Sequence, residues 1–266
     1  MRRLLYLIAF LGCAATAGAA SAGSGESLFG LDTASVTYGP YLRGEFGVAS
    51  PRPGGAFWRP PGFPSDPQIS FDADAGNVSL VGLAFGYDWQ NGFRGELALN
   101  AFGSSDVTAP CAAASDGSGC ASHADISSAA VRTRALMANV YYAPREAAGN
   151  SSRIQPFLTA GIGLARTTMS DWTRTNPLAG QPVRTFAGAT GSELAWSVGA
   201  GIAIELDTDT KHPVIFEATY RYFDFGSASG GTVPVGPGAS QPAAPFQFDH
   251  RSHVISVGIR IPLQRL

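Results

Sequence analysis

The chain has 266 residues and a formal net charge of −2, with 18 Lys and Arg against 20 Asp and Glu. A balance this close to neutral argues against nucleic-acid binding, which needs a basic surface. Charged residues make up only 14% of the chain, against roughly 25% in an ordinary soluble domain. After residue 22, however, no apolar run approaches the roughly 20 residues of a membrane helix, so the apolarity must be spread over shorter segments.

The N-terminus predicts export. Arg2 and Arg3 precede an apolar segment, Leu4–Leu11, and Ala20-Ser21-Ala22 fits the cleavage site of a secretory signal peptide. Lipoprotein processing at Cys13 is an alternative that the preceding residues fit poorly, and a cytosolic core helix is another that lacks a polar face. We therefore predict a signal peptide over residues 1–22, a short periplasmic segment over 23–37 and a β-barrel over 38–266.

Eight segments with period-two alternation follow. In chain order they are Tyr41–Ala49, Val81–Trp89, Phe93–Phe102, about Arg134–Tyr142, Leu158–Ala165, Ala195–Leu206, Pro213–Phe225 and about Arg251–Leu263. In the second segment Val81, Leu83 and Phe85 share one face, whereas Gly82 and Ala84 share the other. A bulky apolar face opposite a small or polar face indicates a strand with lipid outside and a crowded interior.

The connections between these segments alternate in length. Residues 50–77, 103–131, 166–193 and 226–247 form long gaps, whereas Asn91-Gly92, 144–153 and 207–212 form short ones, the first a tight hairpin turn. Such alternation is typical of outer-membrane barrels, with the termini and short turns in the periplasm and the long loops outside. Because open sheet edges are excluded from lipid, we predict an all-β fold, an eight-stranded antiparallel up-and-down transmembrane β-barrel. A soluble β-sandwich is the main alternative, but its apolar faces would point inward.

Aromatic residues form two predicted groups. The first flanks the short turns, where an interfacial girdle belongs: Tyr87, Trp89, Phe93 and Tyr142. Ordinary strand residues are the other interpretation of this group. The second lies in the long predicted loops: Phe57, Trp58, Trp172, Phe246 and Phe248. These residues could contact a partner or pack the loops onto the rim, and the sequence leaves both interpretations open.

Charged residues recur on the inward faces of the predicted strands. They are Arg43, Glu45, Arg94, Glu96, Glu205, Glu217, Arg221 and Arg260. Eight strands leave an interior just wide enough for side chains, and opposite charges buried together should pair because an unpaired charge is costly. We therefore predict an Arg–Glu network that fills the lumen without a continuous channel.

Two cysteines remain after Cys13 leaves with the signal peptide. Cys111 and Cys120 lie in the same long predicted loop, an even number in an oxidising compartment. We predict a disulfide between them, the alternative being two unpaired residues. The segment between them is mostly Ala, Ser and Gly, so we expect it to lack a core of its own.

The sequence His250-Arg251-Ser252-His253 is placed at the outer mouth of the last strand. Lipid A deacylases carry a His-x-Ser pair on an eight-stranded barrel, which permits an enzyme interpretation. A hydrolase also needs an acid to orient the histidine and a lipid-facing groove, and Asp249 is too close in sequence to face the same way as His250. We predict polar rim residues and no catalytic residue.

We expect no metal site and no cofactor. His123 and His212 are isolated in sequence, and His250 and His253 have a spacing that a strand places on opposite faces. Asp72 and Asp74 share a face near a predicted loop, which is typical of a solvated strand entrance.

Several strand segments resemble one family, the small OmpA-like, opacity-type outer-membrane proteins of alphaproteobacteria. The segments are Tyr41–Glu45, Phe93–Leu97, Ala138–Tyr142, Pro156–Gly163 and Tyr220–Gly226, and the resemblance runs from about Tyr38 to Leu263. It implies an envelope-structural, surface-exposed protein with adhesin or immune-exposed roles in host-associated species, and no catalytic residues. Larger relatives carry a C-terminal peptidoglycan-binding domain, and family barrels tend to end on an aromatic residue. This chain departs from both patterns. Its sequence ends with the predicted barrel, its apolar row stops at Leu263, and its last residue is Leu266.

The sequence thus predicts a structural outer-membrane barrel that supports envelope integrity and offers surface loops for adhesion or host contact. The expected partners are outer-membrane lipid and lipopolysaccharide, the barrel assembly machinery and an extracellular partner at the loops, but no nucleic acid. The alternatives are a small passive pore and a lipid A-modifying enzyme.

Overall fold

A computed structural model of the chain describes residues 39–120, 125–150, 152–177, 180, 182–206, 214–236 and 238–263. The predicted signal peptide and the segment 23–37 lie outside these residues, as do His123 and His212. The described strands are β1 Pro40–Pro51, β2 Gly54–Arg59, β3 Ile69–Phe71, β4 Asp74–Ala75, β5 Val78–Asp88, β6 Phe93–Phe102, β7 Ser105–Ala114, β8 Ile126–Tyr142, β9 Ile154–Met169, β10 Trp172–Thr175, β11 Arg184–Phe186, β12 Ala189–Leu206, β13 Val214–Ser229 and β14 Ala244–Pro262. Pro144–Ala147 adds one helical turn. In the described part of the chain, no helix is long and apolar enough to cross a membrane.

Eight of these strands close into a barrel. β1, β5, β6, β8, β9, β12, β13 and β14 each pair antiparallel with the next. β14 then pairs with β1, in a register that runs from Tyr41 opposite Pro262 to Pro51 opposite Ser252. The predicted all-β, antiparallel up-and-down barrel is confirmed.

The outer surface of the barrel carries an apolar band. On β5, Val81, Leu83 and Phe85 point outward with 52–68% of their surface exposed, whereas Gly82 and Ala84 between them are buried. A β-sandwich is excluded, because it would bury these large side chains. The band ends at the short turns in outward aromatic residues, with ring centroids 5.9 Å apart for Tyr87 and Trp89 and 4.8 Å for Phe93 and Tyr142.

Small inward residues make room for the polar interior. A Cβ atom at Gly161 would collide with the Asn139 amide, and a Cβ atom at Gly86 would collide with the ring of Tyr41. Glycine at these positions therefore lets large polar side chains of neighbouring strands cross the lumen.

The first short turn is wider than predicted. It spans residues 89–92, with positive φ at Gln90 (61°) and Gly92 (83°), and the Trp89 N–H donates to the Phe93 carbonyl at 3.0 Å. Asp88 Oδ1 accepts from the Gln90 N–H at 3.0 Å. The tight hairpin predicted at Asn91-Gly92 is present, and it also includes Trp89 and Gln90 because an Asx turn at Asp88 starts the reversal.

Each of the four long connections contains some β structure, which extends the barrel strands beyond their predicted ends or adds short strands. β8 begins at Ile126 instead of about Arg134, and β14 begins at Ala244 instead of about Arg251. Beyond the apolar band the alternation continues with its faces exchanged: on β8, Ala129 and Val131 point inward and Arg132 points outward. A search for apolar residues on the outward face misses these extensions, because water replaces lipid outside them.

We call the strand extensions and the six short strands the cap, and the opposite end of the barrel the turn end. In the cap, β14 pairs with β2, β2 with β3, β3 with β7, and β7 with β8. β10 pairs with β8 and β11. The cap therefore continues the barrel wall by backbone pairing.

Candidate functional site in the lumen and the cap

A charged layer crosses the lumen near the turn end. It contains four guanidinium groups and four carboxylates, all buried: Arg43, Glu45, Asp88, Arg94, Glu96, Glu217, Arg221 and Arg260. Seven of these were predicted, and Asp88 was not, although its alternation with Tyr87 already placed it inward. The structure brings these residues together because β1, β5, β6, β13 and β14 each direct one or more of them inward at similar depth.

Glu217 and Arg43 are the hubs of this layer. Glu217 Oε1 accepts from Arg94 Nη1 at 2.8 Å and from Arg260 Nε at 3.0 Å. Arg43 donates to Glu96 at 2.6 and 3.0 Å and to Glu45 at 3.0 Å. Two outer ion pairs extend the layer, Arg260 with Asp88 at 3.2 Å and Arg221 with Glu45. Opposite charges are thus balanced within hydrogen-bonding distance, as burial requires.

Neutral donors complete the layer, and sequence reasoning missed them. Glu96 accepts from the Tyr141 hydroxyl at 2.6 Å and from the Asn139 amide at 3.1 Å. The Arg94 guanidinium lies 4.3 Å from the centroid of the Tyr141 ring. The alternation of both residues with Val140 and Tyr142 already places them on the inward face, but a tyrosine there also fits a girdle or a core.

The remaining predicted network residue, Glu205, lies at the turn end of the lumen and not in the charged layer. It is half-buried and lines a cavity of about 50 Å³ together with Arg153 and Glu146. Its N–H donates to the Arg153 carbonyl at 3.0 Å. Glu205 is the last inward residue of its strand, which places it at the mouth.

An apolar layer fills the lumen on the cap side of the charged layer. It consists of Ala49, Leu80, Phe102, Ala135, Met137, Ala165, Ala195, Phe223, Phe225 and Val254. Phe102 packs edge-on against Phe223 and Phe225, with centroids 5.8 and 5.0 Å away. The order of the layers can be followed along β8, whose inward residues pass from Asn139 through Met137 and Ala135 to Thr133.

A third cluster of buried residues, the cap core, lies beyond the apolar layer. Its largest members are Trp58, Phe71, Trp172, Phe186, Phe246 and Phe248. Trp172 stacks on Phe186 with centroids 4.2 Å apart, and its Nε1–H donates to the Gly231 carbonyl at 2.9 Å. Four of the five aromatic residues of the predicted loops are therefore buried as packing residues, and Phe57 is half-buried.

The sequence comparisons decide the family. Residues 6–258 match the family described as outer membrane protein beta-barrel domain. The chain belongs to this family. No curated protein matches it.

Solved structures of small outer-membrane barrels resemble this one. Neisserial surface protein A is 15% identical, with 87% of this chain and 100% of that chain covered and a TM-score of 0.46. OprG of Pseudomonas aeruginosa is 16% identical, with 85% and 96% covered and a TM-score of 0.47. AlkL in lipid bilayers is 13% identical, with 91% and 97% covered and a TM-score of 0.42.

Family membership places this outer-membrane barrel in lipid and orients it. Long connections of such barrels face the cell exterior, so the cap is extracellular and the turn end periplasmic. The apolar band spans the bilayer, from the periplasmic girdle to a second outward aromatic pair, Trp196 and Tyr222, with centroids 5.5 Å apart. Tyr222 lies opposite His253, so the membrane-spanning part of β14 is 253–262.

The structure joins Cys111 to Cys120 by a disulfide, with Cα atoms 5.8 Å apart. Contrary to expectation, the segment before it is not an isolated loop, because β7 pairs with β8 and contributes Val107 and Ala109 to the cap core. The Cys111 N–H also donates to the Asp125 carbonyl at 2.8 Å. The bridge therefore closes a tip that consists of the last residues of β7, which pair with β3, and the turn beyond them.

Reduction of the disulfide should loosen this tip alone. A bridge closing so short a ring stabilises by about 2–3 kcal/mol in the chain-entropy model. We expect faster proteolysis between residues 111 and 120 on intact cells, and an unchanged heat-modifiable gel shift of the folded barrel. A Cys111→Ser/Cys120→Ser variant should behave like the reduced protein. Free thiols in the unreduced protein would contradict the bridge, and a lost gel shift would contradict its local role.

His250 is buried inside the extracellular half of the barrel, so its prediction as a rim residue is wrong. The error follows from the predicted strand start, since β14 begins at Ala244, seven residues before the predicted start at about Arg251. His250 Nε2 lies 3.0 Å from Thr133 Oγ1, and the ring packs 5.0 Å from that of Phe225. Ser252 is also buried, whereas His253 faces outward, with Nδ1 2.7 Å from the Tyr220 hydroxyl.

Burial lowers the pKa of the His250 imidazole from 6.5 to about 4. This residue lies outside the membrane-spanning part of β14, among apolar and hydroxyl side chains. Desolvation disfavours the imidazolium there, so the ring is neutral at neutral pH.

Acidification should therefore weaken the cap. Between pH 6.5 and about 4 an opened state binds a proton that the closed state does not, so stability falls as the pH falls through this window. The loss is up to about 3 kcal/mol. The hydrogen-exchange protection factors of the amides of 246–252, which are corrected for the pH dependence of intrinsic exchange, should be lower at pH 4.5 than at pH 7.5, and His250→Gln should remove this difference. His253→Gln should retain it; equal acid sensitivity of wild type and His250→Gln would refute the assignment.

Proposed function

We propose that the protein is a non-conducting structural barrel that supports the outer membrane and holds a rigid β cap at the cell surface. One observation carries the proposal: side chains fill the lumen at every level. From the periplasm outward these levels are a cluster of Tyr141, Phe157, Ala203 and Ile215, then the charged layer, the apolar layer and the cap core.

Each level opposes ion passage in its own way. In the charged layer every arginine pairs with a carboxylate, so an ion entering it must displace an existing partner. In the apolar layer Phe102, Phe223 and Phe225 offer a passing ion no polar ligand. This argues for a structural barrel over the alternative of a small passive pore.

The position of the His-x-Ser pair argues against the second alternative, a lipid A-modifying enzyme. His250 and Ser252 point into the lumen, away from the lipid in which such a substrate lies. Asp249 points outward and Arg251 donates to it at 3.0 Å. The imidazole therefore faces neither a lipid substrate nor an orienting carboxylate.

The cap is the part of the molecule available for contact with an extracellular partner. Its outer surface exposes Val183, Val233 and Val235, and the Val235 N–H donates to the Thr185 carbonyl of β11 at 2.9 Å. Apolar side chains held on paired backbone are preordered for binding, which reduces the entropy lost on association. We infer an adhesion or host-contact role for this surface, and delivery of the chain to the membrane by the barrel assembly machinery.

Planar-bilayer recordings test the sealed lumen. The purified wild-type protein should give no steady single-channel currents of porin size, whereas a porin reconstituted in the same way should give them. Steady currents from the wild type would overturn the proposal in favour of the pore.

Incubation with lipid A tests the enzyme alternative independently. The mass of the lipid should remain unchanged after incubation. Loss of an acyl chain that depends on His250 and Ser252 would restore the enzyme interpretation.

A further inference from the structure

The outer boundary of the apolar band changes abruptly to arginine on two neighbouring strands. A leucine row runs across four strands in direct register: Leu99, Leu136, Leu164 and Leu194. These side chains are 49–61% exposed and therefore face lipid. The next outward positions toward the cap are Arg134 on β8 and Arg166 on β9, which lie directly opposite each other. Arg132 follows on β8.

These three arginines, the arginine patch, lack a counter-charge in the described part of the chain. All are exposed, and none forms an ion pair or side-chain hydrogen bond with a described residue. Like charges directly opposite each other on paired strands are destabilising. Asp106, exposed and opposite Ala130, is the neighbouring carboxylate, and it would leave two positive charges even if it paired.

A different arginine at the outer surface shows what a neutralised site looks like. Arg251 of β14 lies 3.4 Å from Asp224 and 3.0 Å from Asp249. Among the described residues, no carboxylate forms an ion pair with the arginine patch, so this side of the barrel can accept an external anion.

The patch borders an open depression of about 530 Å³. Ser104, Thr168 and Ser170 line it together with the three arginines, and no carboxylate does. Guanidinium groups bind phosphate oxygens through paired N–H donors, and hydroxyl groups add further donors. The depression thus combines a positive charge with the donor geometry that a phosphate requires.

We propose that the arginine patch binds the phosphate groups of lipid A in the outer leaflet, with the acyl chains lying on the leucine row. The inference rests on the proposed function in one respect, namely that the cap faces the cell exterior. A phosphate at the headgroup level and hydrocarbon one row below match the order of arginine above leucine. A soluble phosphate would use the arginines but leave the leucine row without a role.

Binding measurements with defined lipids test the proposal. The refolded wild-type protein in detergent, with a chelator present so that divalent cations cannot bridge phosphates, is titrated with diphosphorylated lipid A and with chemically dephosphorylated lipid A. We expect the wild type to bind the phosphorylated form at least about tenfold more tightly. An Arg132→Gln/Arg134→Gln/Arg166→Gln variant should lose this preference.

Two controls separate the possible outcomes. Arg251→Gln should bind like the wild type, and the heat-modifiable gel shift checks that each variant is folded. Equal wild-type affinity for both lipids would overturn the proposal without any variant. Unchanged binding by the folded triple variant, or competition by inorganic phosphate at the affinity of lipid A, would also overturn it. Porin-size currents would reject the sealed barrel and leave this site standing.

Discussion

Glu217→Gln should lower the free energy of unfolding of the barrel by about 3–5 kcal/mol, because it leaves a buried guanidinium without its counter-ion. Arg94 has one ion pair with a described residue, to Glu217 at 2.8 Å. Arg260 would keep Asp88 at 3.2 Å, so the loss falls chiefly on Arg94. Glutamine keeps the shape of the side chain but presents an amide in place of the charge.

Urea titration in phospholipid vesicles would measure this loss, with the outward tryptophans Trp89 and Trp196 as fluorescence reporters. Glu205→Gln is the matched control, because this carboxylate is half-buried at the periplasmic mouth and should cost about 1 kcal/mol or less. An Arg94→Gln/Glu217→Gln double variant should recover much of the loss, since it removes both charges. If Glu217→Gln costs no more than Glu205→Gln, the charged layer does not depend on charge balance.

Trp172→Ala should open the cap while leaving the transmembrane barrel folded. Trp172 is completely buried and touches three other aromatic residues, at centroid distances of 4.2 Å to Phe186, 6.1 Å to Phe246 and 6.5 Å to Trp58. Truncation of such a side chain leaves a cavity and costs about 3–5 kcal/mol. The cost is confined to the cap because β10 lies outside the closed ring of eight strands.

Protease treatment of intact cells gives the readout, with faster cleavage of the cap expected for Trp172→Ala than for the wild type. The gel shift of the folded barrel should be retained. Trp89→Ala removes an exposed girdle residue of the same type and should leave the cap as resistant as before. Wild-type resistance in Trp172→Ala would contradict the central role of Trp172, and a lost gel shift would show that barrel and cap form one cooperative unit.

The two expected results concern the membrane-spanning barrel and the cap, which share several strands. In the membrane-spanning part, charged side chains pair across the lumen; in the cap, aromatic side chains pack against one another. β8 serves both, because its inward face contributes Asn139 to the charged layer and Ala129 and Val131 to the cap core. A partner that binds the cap therefore meets a surface continuous with the membrane anchor.

The sequence by itself determined the membrane-spanning part of this protein. Lipid imposes one rule on every strand, apolar outward with period two, so Val81, Leu83 and Phe85 reveal their strand without knowledge of its neighbours. The same alternation placed Arg43, Glu96 and most of the charged layer inward. Cys111 and Cys120 could be paired by count and compartment alone.

The strands and core of the cap, and the sites that depend on them, became known only from the tertiary structure. Above the lipid a strand is stabilised by what it meets across the barrel: Trp172 is buried because Phe186 and Phe246 reach it from distant segments. His250 was predicted at the rim but is buried for the same reason, because β14 continues beyond it toward the cap. The arginine patch likewise depends on register, because Arg134 and Arg166 lie 32 positions apart in the sequence and become neighbours through the pairing of β8 with β9.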